Sequence, residues 1–182
     1  REDAVGAGRD HGRALARDSQ PDLSRHLRNA EVLVSRAAHE EAARLLTVIA
    51  RQAGTDMPEA PRIRMLKLQA RLAAARNEAG PEQARILEEI VRLDPLDGDA
   101  LILLGQHYAA DNMEKAVFYF ERAEALESFE ADARLRHAQL LVRNGNYQEA
   151  LPLLKRALEL KPREAVQRYA EQVERAARLR NG

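Results

Sequence analysis

Residues 101–126, LILLGQHYAADNMEKAVFYFERAEAL, and residues 134–160, RLRHAQLLVRNGNYQEALPLLKRALEL, repeat one another and decide the fold. Their first halves match at a spacing of 33 residues and their second halves at a spacing of 34. The pairs at the longer spacing are Ala116 and Ala150, Phe120 and Leu154, Ala123 and Ala157, and Leu126 and Leu160. A fixed period of this length predicts stacked helical hairpins rather than one compact core.

The composition favours helices. Hydrophobic residues make up 45% of the 182 residues, but aromatic residues only 4%, and there is no Trp. The core must therefore be built from Leu, Ala, Val and Ile, and few stretches alternate as a strand would. We expect an all-α protein with almost no sheet.

Charge and cysteine content exclude several classes of function. The 29 Lys and Arg residues balance 29 Asp and Glu residues, which argues against general binding of nucleic acids or anionic membranes. Without Cys the chain has no disulfide, thiol nucleophile or thiolate metal site. No apolar run reaches the roughly 20 residues that span a bilayer. We expect a soluble protein of the cytoplasm or the bacterial periplasm. Because the sequence begins at Arg1 rather than Met, we also expect an excised domain or a processed product.

The helical pattern divides the chain into a lead-in, one domain and a cap. Residues 1–20 are rich in Gly and charge and predict a flexible or weakly helical lead-in. Residues 21–180 predict a single domain with hydrophobic residues at helical spacing. Within it we place repeats at about 23–56, 60–95, 97–128 and 131–162, followed by a capping helix at 163–180.

Particular residues mark the ends of these helices. Pro81 and Pro95 predict the start and the end of a helix between them. Asp97 is placed to cap the helix that starts near residue 98, and Asn146 with Glu149 has the spacing of a capping box.

Other residues predict a loop and the contacts between helices. Gly54, Pro58 and Pro61 predict a long loop over 53–61. Small residues at matched positions predict close approach of neighbouring helices. They are Gly105, Ala116, Ala123, Ala138, Ala150 and Ala157.

These residues resemble the tetratricopeptide repeat. The similarity rests on Leu101, Leu104, Gly105 and Tyr108 in a first helix, followed by the second-helix residues of the 34-residue pairs. The family's usual Trp is Leu101 here. The resemblance is close over 97–162, weaker upstream, and absent over 1–20. It implies a right-handed superhelical stack of antiparallel hairpins whose first helices line a concave groove for a peptide or a helix of a partner protein.

Transferring the family's groove positions to this sequence gives a mostly apolar lining with few charges. Its residues are Leu27, Glu31, Val34, Leu66, Ala70, Ala73, Ile102, Gln106, Ala109, Leu135, Gln139 and Val142. Some family members clamp a C-terminal carboxylate with Lys and Asn. Here Ile102 with Gln106 and Leu135 with Gln139 occupy those positions, so the resemblance implies an apolar peptide segment or an amphipathic helix. The alternative is that these residues only pack between neighbouring first helices.

The sequence contains few candidates for a catalytic or metal-binding site. The five histidines have no metal-ligand spacing, so we interpret His107 and His137 as packing residues and expect no metal or cofactor. Most carboxylates, among them Glu88 and Glu124, are expected on solvated helix faces. The basic stretches at 62–71 and 155–163 are also expected to be solvated.

We therefore expect a non-enzymatic interaction scaffold, a module of a larger bacterial protein or assembly. One alternative is a self-association module, with a homodimer formed through the C-terminal helix. Another is the regulatory domain of an enzyme encoded elsewhere in the parent chain.

Overall fold

The computed structural model describes residues 22–78 and 80–182, and the predicted lead-in at 1–20 lies outside them. Within the described residues the regular structure is helical throughout, without a strand, which confirms the all-α prediction. The helices are α1 (22–35), α2 (His39–Ala53), α3 (Glu59–Ala75), α4 (Pro81–Leu93), α5 (Gly98–Tyr108), α6 (Met113–Glu124), α7 (Glu130–Arg143), α8 (Tyr147–Leu160) and α9 (Glu164–Arg180).

The described residues form two compact units, one within residues 22–78 and the other within residues 80–182. The described part of the first unit holds α1 to α3, and the second unit holds α4 to α9. In the second unit each helix packs against the next in sequence, and α5 also contacts α7. This is the arrangement of consecutive antiparallel hairpins. The division into four repeats and a capping helix stays a prediction.

The core of the first unit joins all three of its described helices. Its buried members are aliphatic or small, as the composition requires. They are Leu27, Ala30, Ala42, Leu46, Ile49, Met57, Leu68 and Leu72. The buried residues of α2 lie on one side of the helix and its charged residues on the other. The helix is therefore stabilised mainly by packing of its apolar side rather than by the helical propensity of its residues.

The predicted loop at 53–61 is shorter than expected. A 3₁₀ turn occupies Gly54–Asp56, and α3 already begins at Glu59. Pro61 is accommodated because the first turn of a helix does not need its missing N–H group. The Arg62 guanidinium donates to the carbonyl oxygens of Thr55 and Met57, at 3.4 and 2.9 Å, and holds the turn against the helix.

Close approach of helices in the second unit depends on the predicted small residues. Ala116, Ala123, Ala138, Ala150 and Ala157 are all at most 1% exposed, as predicted. Gly105 on α5 packs against the ring of Phe120 on α6. A Cβ atom on Gly105 would lie 2.5 Å from the nearest ring carbon, so any side chain there would have to displace the Phe120 ring.

Of the two predicted side-chain caps, the one at Asp97 forms and the one at Asn146 does not. Asp97 caps α5 by accepting from the Ala100 amide at 3.0 Å, as predicted. The predicted capping box at Asn146 is wrong, because its side chain makes no bond to the first turn of α8. Its φ and ψ of −90° and 60° differ from the −142° and 83° of Asn112, whose side chain does cap α6 by accepting from the Lys115 amide at 3.1 Å.

Candidate partner-binding face

The face formed by α5 and α7 carries half of the predicted groove residues. Gln106 is exposed, and the other five keep part of their surface accessible. Ile102 and Ala109 also pack partly against the core around Phe120, and Leu135 and Val142 against the core around Leu154. Their inner atoms therefore hold the fold, and their outer atoms remain available. The six residues are Ile102, Gln106, Ala109, Leu135, Gln139 and Val142.

The same face includes residues that the groove prediction missed. Leu103 is next to Ile102 and is 36% exposed, and Arg136 and Arg143 are exposed on α7. The Arg136 guanidinium donates to the Gln139 side chain at 3.5 Å. The family resemblance does not point to these residues, because it transfers only the family's usual contact positions. Their presence makes the face apolar along its length with cationic side chains on α7.

The predicted groove residues of the first unit are largely buried. Leu27, Leu66, Ala70 and Ala73 are each at most 9% exposed. Glu31 and Val34 are half-buried. The Glu31 carboxylate accepts from Arg64 on α3 at 2.9 Å, so α1 and α3, the first helices of two predicted repeats, are joined by an ion pair. Contact with a partner through this set is restricted to Glu31 and Val34.

A polar cluster links α4, α5 and α6. The Tyr108 hydroxyl donates to the Glu88 carboxylate, and the Lys115 ammonium group lies 3.1 Å from the Tyr108 oxygen and 3.4 Å from Glu88. That ammonium group also lies 4.3 Å from the centre of the Tyr108 ring, a cation–π distance. The Tyr119 ring stacks on Tyr108 at 5.9 Å between centroids. Lys115 thus neutralises the carboxylate where three helices meet.

The contacts within this polar cluster shift the pKa values of its titratable groups. The hydrogen bond from Tyr108, with further help from Lys115, lowers the pKa of the Glu88 carboxyl below its ordinary value. The same Tyr108 hydroxyl, followed by Glu88, raises the pKa of Lys115. Burial raises the pKa of Tyr119. The Glu88 side chain is 39% exposed, so it is partly solvated as predicted, but residues 20 and 27 positions away also engage it, which the prediction missed.

The Glu124 carboxylate, in contrast, lies away from solvent. Glu124 on α6 and His137 on α7 are joined by a 2.7 Å contact to the His Nδ1 atom, and both side chains are about one-tenth exposed. The His137 ring stacks on Phe120 at 6.3 Å. The interpretation of His137 as a packing residue is confirmed, whereas the solvated position expected for Glu124 is wrong. Tertiary contact between α6 and α7 creates this pair, and neither helix shows it alone.

In residues 22–78 and 80–182, no cluster of three His, Asp or Glu side chains could hold a metal ion. None of the helices in that part of the chain is long and apolar enough to cross a bilayer.

Comparison with known proteins identifies the architecture. The family model for the anaphase-promoting complex, cyclosome, subunit 3 matches residues 98–170. No curated protein sequence matches significantly. Among solved structures, MamA is similar with a TM-score of 0.68 and 16% identity over 87% of this chain and 84% of that one.

Two other solved structures are similar at comparable levels. The Podosopora anserina putative kinesin light chain with nearly identical TPR-like repeats has a TM-score of 0.64 and 21% identity, covering 88% of both chains. YrrB, described as a TPR protein with an unusual peptide-binding site, has a TM-score of 0.59 and 19% identity over 79% of this chain and 71% of that one. The all-α helical solenoid and the resemblance to tetratricopeptide repeats are thereby confirmed.

Proposed function

We propose that this protein is a non-enzymatic scaffold that holds a segment of a partner protein on the face formed by α5 and α7. The partner segment is an apolar peptide or an amphipathic helix. The scaffold belongs to a larger bacterial protein or assembly. A general protein-binding role is what the tetratricopeptide architecture usually serves, and the finer assignment to this face is our proposal.

One observation carries the proposal. Helices α5 and α7, the first helices of two consecutive predicted hairpins, are in contact. Each of them has partly exposed aliphatic side chains beside a glutamine. Ile102 and Leu103 on α5 and Leu135 on α7 offer apolar contact, and Gln106 and Gln139 offer hydrogen bonds to a backbone or a polar side chain. YrrB, a TPR protein of similar fold, has a peptide-binding site, and this supports peptide binding on the same architecture here.

Selection from a displayed library of random peptides tests this proposal without a known partner. We expect the selected peptides to be rich in apolar residues. Their affinity should fall about tenfold or more for the Gln106→Arg/Gln139→Arg variant, because two bulky cations would cover the apolar face. The control is Gln148→Arg, the same substitution at an exposed position on α8, which should leave affinity unchanged. Equal binding to all three proteins would show that the peptides dock elsewhere.

The alternatives are separated by simpler measurements. A self-association module that uses α9 would lose its assembly when exposed residues of that helix, such as Gln172 and Arg175, are changed to Glu and Asp. A regulatory domain would change the activity of an enzyme carried by the parent chain when it is deleted.

A further inference from the structure

The carboxylates of α7 are already paired within the chain. Glu130 accepts from Arg134 on the same helix at 2.8 Å and from Arg156 on α8 at 3.2 Å. Asp132 accepts from Arg163 at 3.1 Å. The helix contains no third carboxylate, so none of its own acidic side chains is left for its remaining arginines.

Two arginines of α7 are left without an ion pair in the described part of the chain. Arg136 and Arg143 are both exposed, and their contacts are with neutral groups. Arg136 donates to the Gln139 side chain at 3.5 Å. Burial raises the pKa of Tyr169 on α9 and Arg143 opposes this rise, which places the Arg143 charge near that ring. Both guanidinium groups therefore keep hydrogen-bond donors available to a partner.

Arg136, Gln139 and Arg143 form one stripe along α7, which we call the arginine stripe. They follow one another at spacings of three and four residues, and this places them on the same side of the helix. Leu135 and Val142 adjoin them, and the five residues together span about one-third of the helix circumference. All the buried residues of α7 lie outside this sector. The apolar and the cationic side chains are thus accessible to one and the same ligand.

The matching positions of α5 are not cationic. Leu103 and Ala110 precede Arg136 and Arg143 by 33 residues, and α5 contains no Lys or Arg. Its one acidic side chain, Asp99, lies in the first turn of the helix, where the helix dipole favours a negative charge. The face therefore has an apolar edge on α5 and a cationic edge on α7, with Asp99 at its N-terminal end.

A segment that docks on this face removes water from both guanidinium groups. Each group has five N–H donors, and a segment without acceptors would leave those donors unsatisfied. A carboxylate matches a guanidinium best, because it accepts two parallel hydrogen bonds and neutralises the charge. A basic segment would be repelled. The requirement comes from the two unpaired groups themselves and not from the net charge of the chain.

We propose that the segment bound on this face is acidic, with one carboxylate for Arg136 and one for Arg143 beside its apolar residues. This inference rests on the proposed function and adds the charge of the partner to it. The two arginines are about 10 Å apart along the helix axis, because seven residues make about two turns. The two carboxylates should therefore be about seven residues apart in a helical partner and about three apart in an extended one.

Peptides selected from the displayed library on the unaltered protein provide the first test. They should contain more Asp and Glu than Lys and Arg. Their affinity should fall about tenfold between roughly 0.05 M and 0.5 M salt, because salt screens the two ion pairs. Selected peptides that are neutral or basic would overturn the inference and leave the proposed function intact.

Charge reversal on α7 makes the test specific. Arg136→Glu/Arg143→Glu should lower the affinity for the selected acidic peptides about tenfold or more, because like charges would then meet. The same variant should bind peptides in which Asp and Glu are replaced by Lys more tightly than the unaltered protein does. Loss of structure could not produce this exchange of preference. Both positions are exposed, so circular dichroism should show that the variant remains folded.

The matched control is Arg51→Glu/Arg178→Glu, on α2 and α9. It makes the same change in net charge at two exposed positions away from α5 and α7. The affinity for both kinds of peptide should stay as it is in the unaltered protein. If the control exchanges the preference as well, the effect belongs to the overall charge and the assignment to α7 is wrong.

A neutral substitution separates failure of this inference from failure of the proposed function. Leu103→Ser removes an apolar contact on α5 without changing the charge, so it should weaken binding whether or not the segment is acidic. If it weakens binding while Arg136→Glu/Arg143→Glu does not, the partner is not acidic and the proposed function stands. If neither weakens binding, the peptides dock elsewhere and both proposals fail. Gln106→Arg/Gln139→Arg changes charge and bulk together and cannot make this distinction.

Discussion

At the scale of single residues, Gly105 shows that close packing between helices can matter more than the helical propensity of a residue. Gly105 lies in the middle of α5, where alanine would ordinarily stabilise a helix by about 1 kcal/mol. The Phe120 ring fills the space that a side chain would need, and Phe120 is only 1% exposed, so moving it would disturb the core around it. The residue that weakens the helix is therefore the one that lets two helices meet.

We predict that Gly105→Ala destabilises the protein. Overpacking typically costs ~1–3 kcal/mol, which exceeds the propensity gain, so the midpoint of urea unfolding should fall. The control is the same substitution in a Phe120→Leu background. There the ring is gone, and Gly105→Ala should be neutral or stabilising relative to Phe120→Leu alone. A higher midpoint for Gly105→Ala in the unaltered chain would contradict this account.

Sequence periodicity indicates this contact, but it does not indicate others. Gly105 recurs as the small Ala138, and Phe120 recurs as the bulky Leu154, in the next repeat. The contact between Gly98 and the Phe129 ring has no such signal, because Phe129 precedes α7 and its ring happens to cover the start of α5. Likewise, nothing on α6 alone indicates that Glu124 meets His137. Contacts made once, between helices, are not visible in a periodic pattern.

At the scale of elements, the presence of a helix is easier to predict than its ends. The sequence pattern matches α4, which begins at Pro81 and ends at Leu93, just before Asp94 and Pro95. The predicted start of α3 is wrong because Pro61 lies in the first turn of that helix rather than in the loop before it. The predicted cap is correct at Asp97 and wrong at Asn146, because residue type does not fix the backbone angles that aim the side chain.

The two asparagines before α6 and α8 give a matched prediction. Asn112→Ala should lower the free energy of unfolding by about 1 kcal/mol, because it removes the bond to the Lys115 amide. Asn146→Ala should have a much smaller effect, since its side chain makes no capping bond. Urea unfolding of both variants measures the difference. Equal losses would show that the Asn146 side chain caps α8 in solution.

At the scale of the whole molecule, the stability of the fold should decrease at low pH, because carboxylates hold helices together. Glu88 joins three helices, and Glu130 joins α7 to Arg156 on α8 at 3.2 Å. The arginines, Arg156 first and Arg134 second, lower the pKa of Glu130 as Tyr108 lowers that of Glu88. A carboxyl whose pKa is lower in the folded chain stabilises the fold above its ordinary value of 4.5, and this stabilisation is lost as the pH falls further.

We therefore predict that the midpoint of urea unfolding decreases as the pH falls from about 6 to about 3. Glu88→Gln should make this decrease smaller, because one of the responsible groups no longer titrates. Glu174→Gln, at an exposed position on α9, is the control and should leave the slope as it is. If both variants keep the slope of the unaltered chain, Glu88 does not contribute to the acid sensitivity.

The candidate site is predictable only in outline. The family resemblance indicates which helices present a face, and α5 and α7 do touch. It cannot indicate which of the twelve positions keep accessible surface, because that depends on what packs around each one. In the first unit four predicted groove residues are buried, whereas in the second unit Gln106 is exposed. Selectivity for a partner would arise from such differences between chemically similar positions.

The stacked rings of Tyr108 and Tyr119 also have an optical consequence. The chain has four tyrosines and no Trp, so half of its tyrosines lie in one cluster. A phenol that donates a hydrogen bond to a carboxylate emits differently from one in water. Separation of α4 from α5 and α6 would break that bond and change the emission. The native sequence thus carries its own spectroscopic reporter of this helix junction, without an added label.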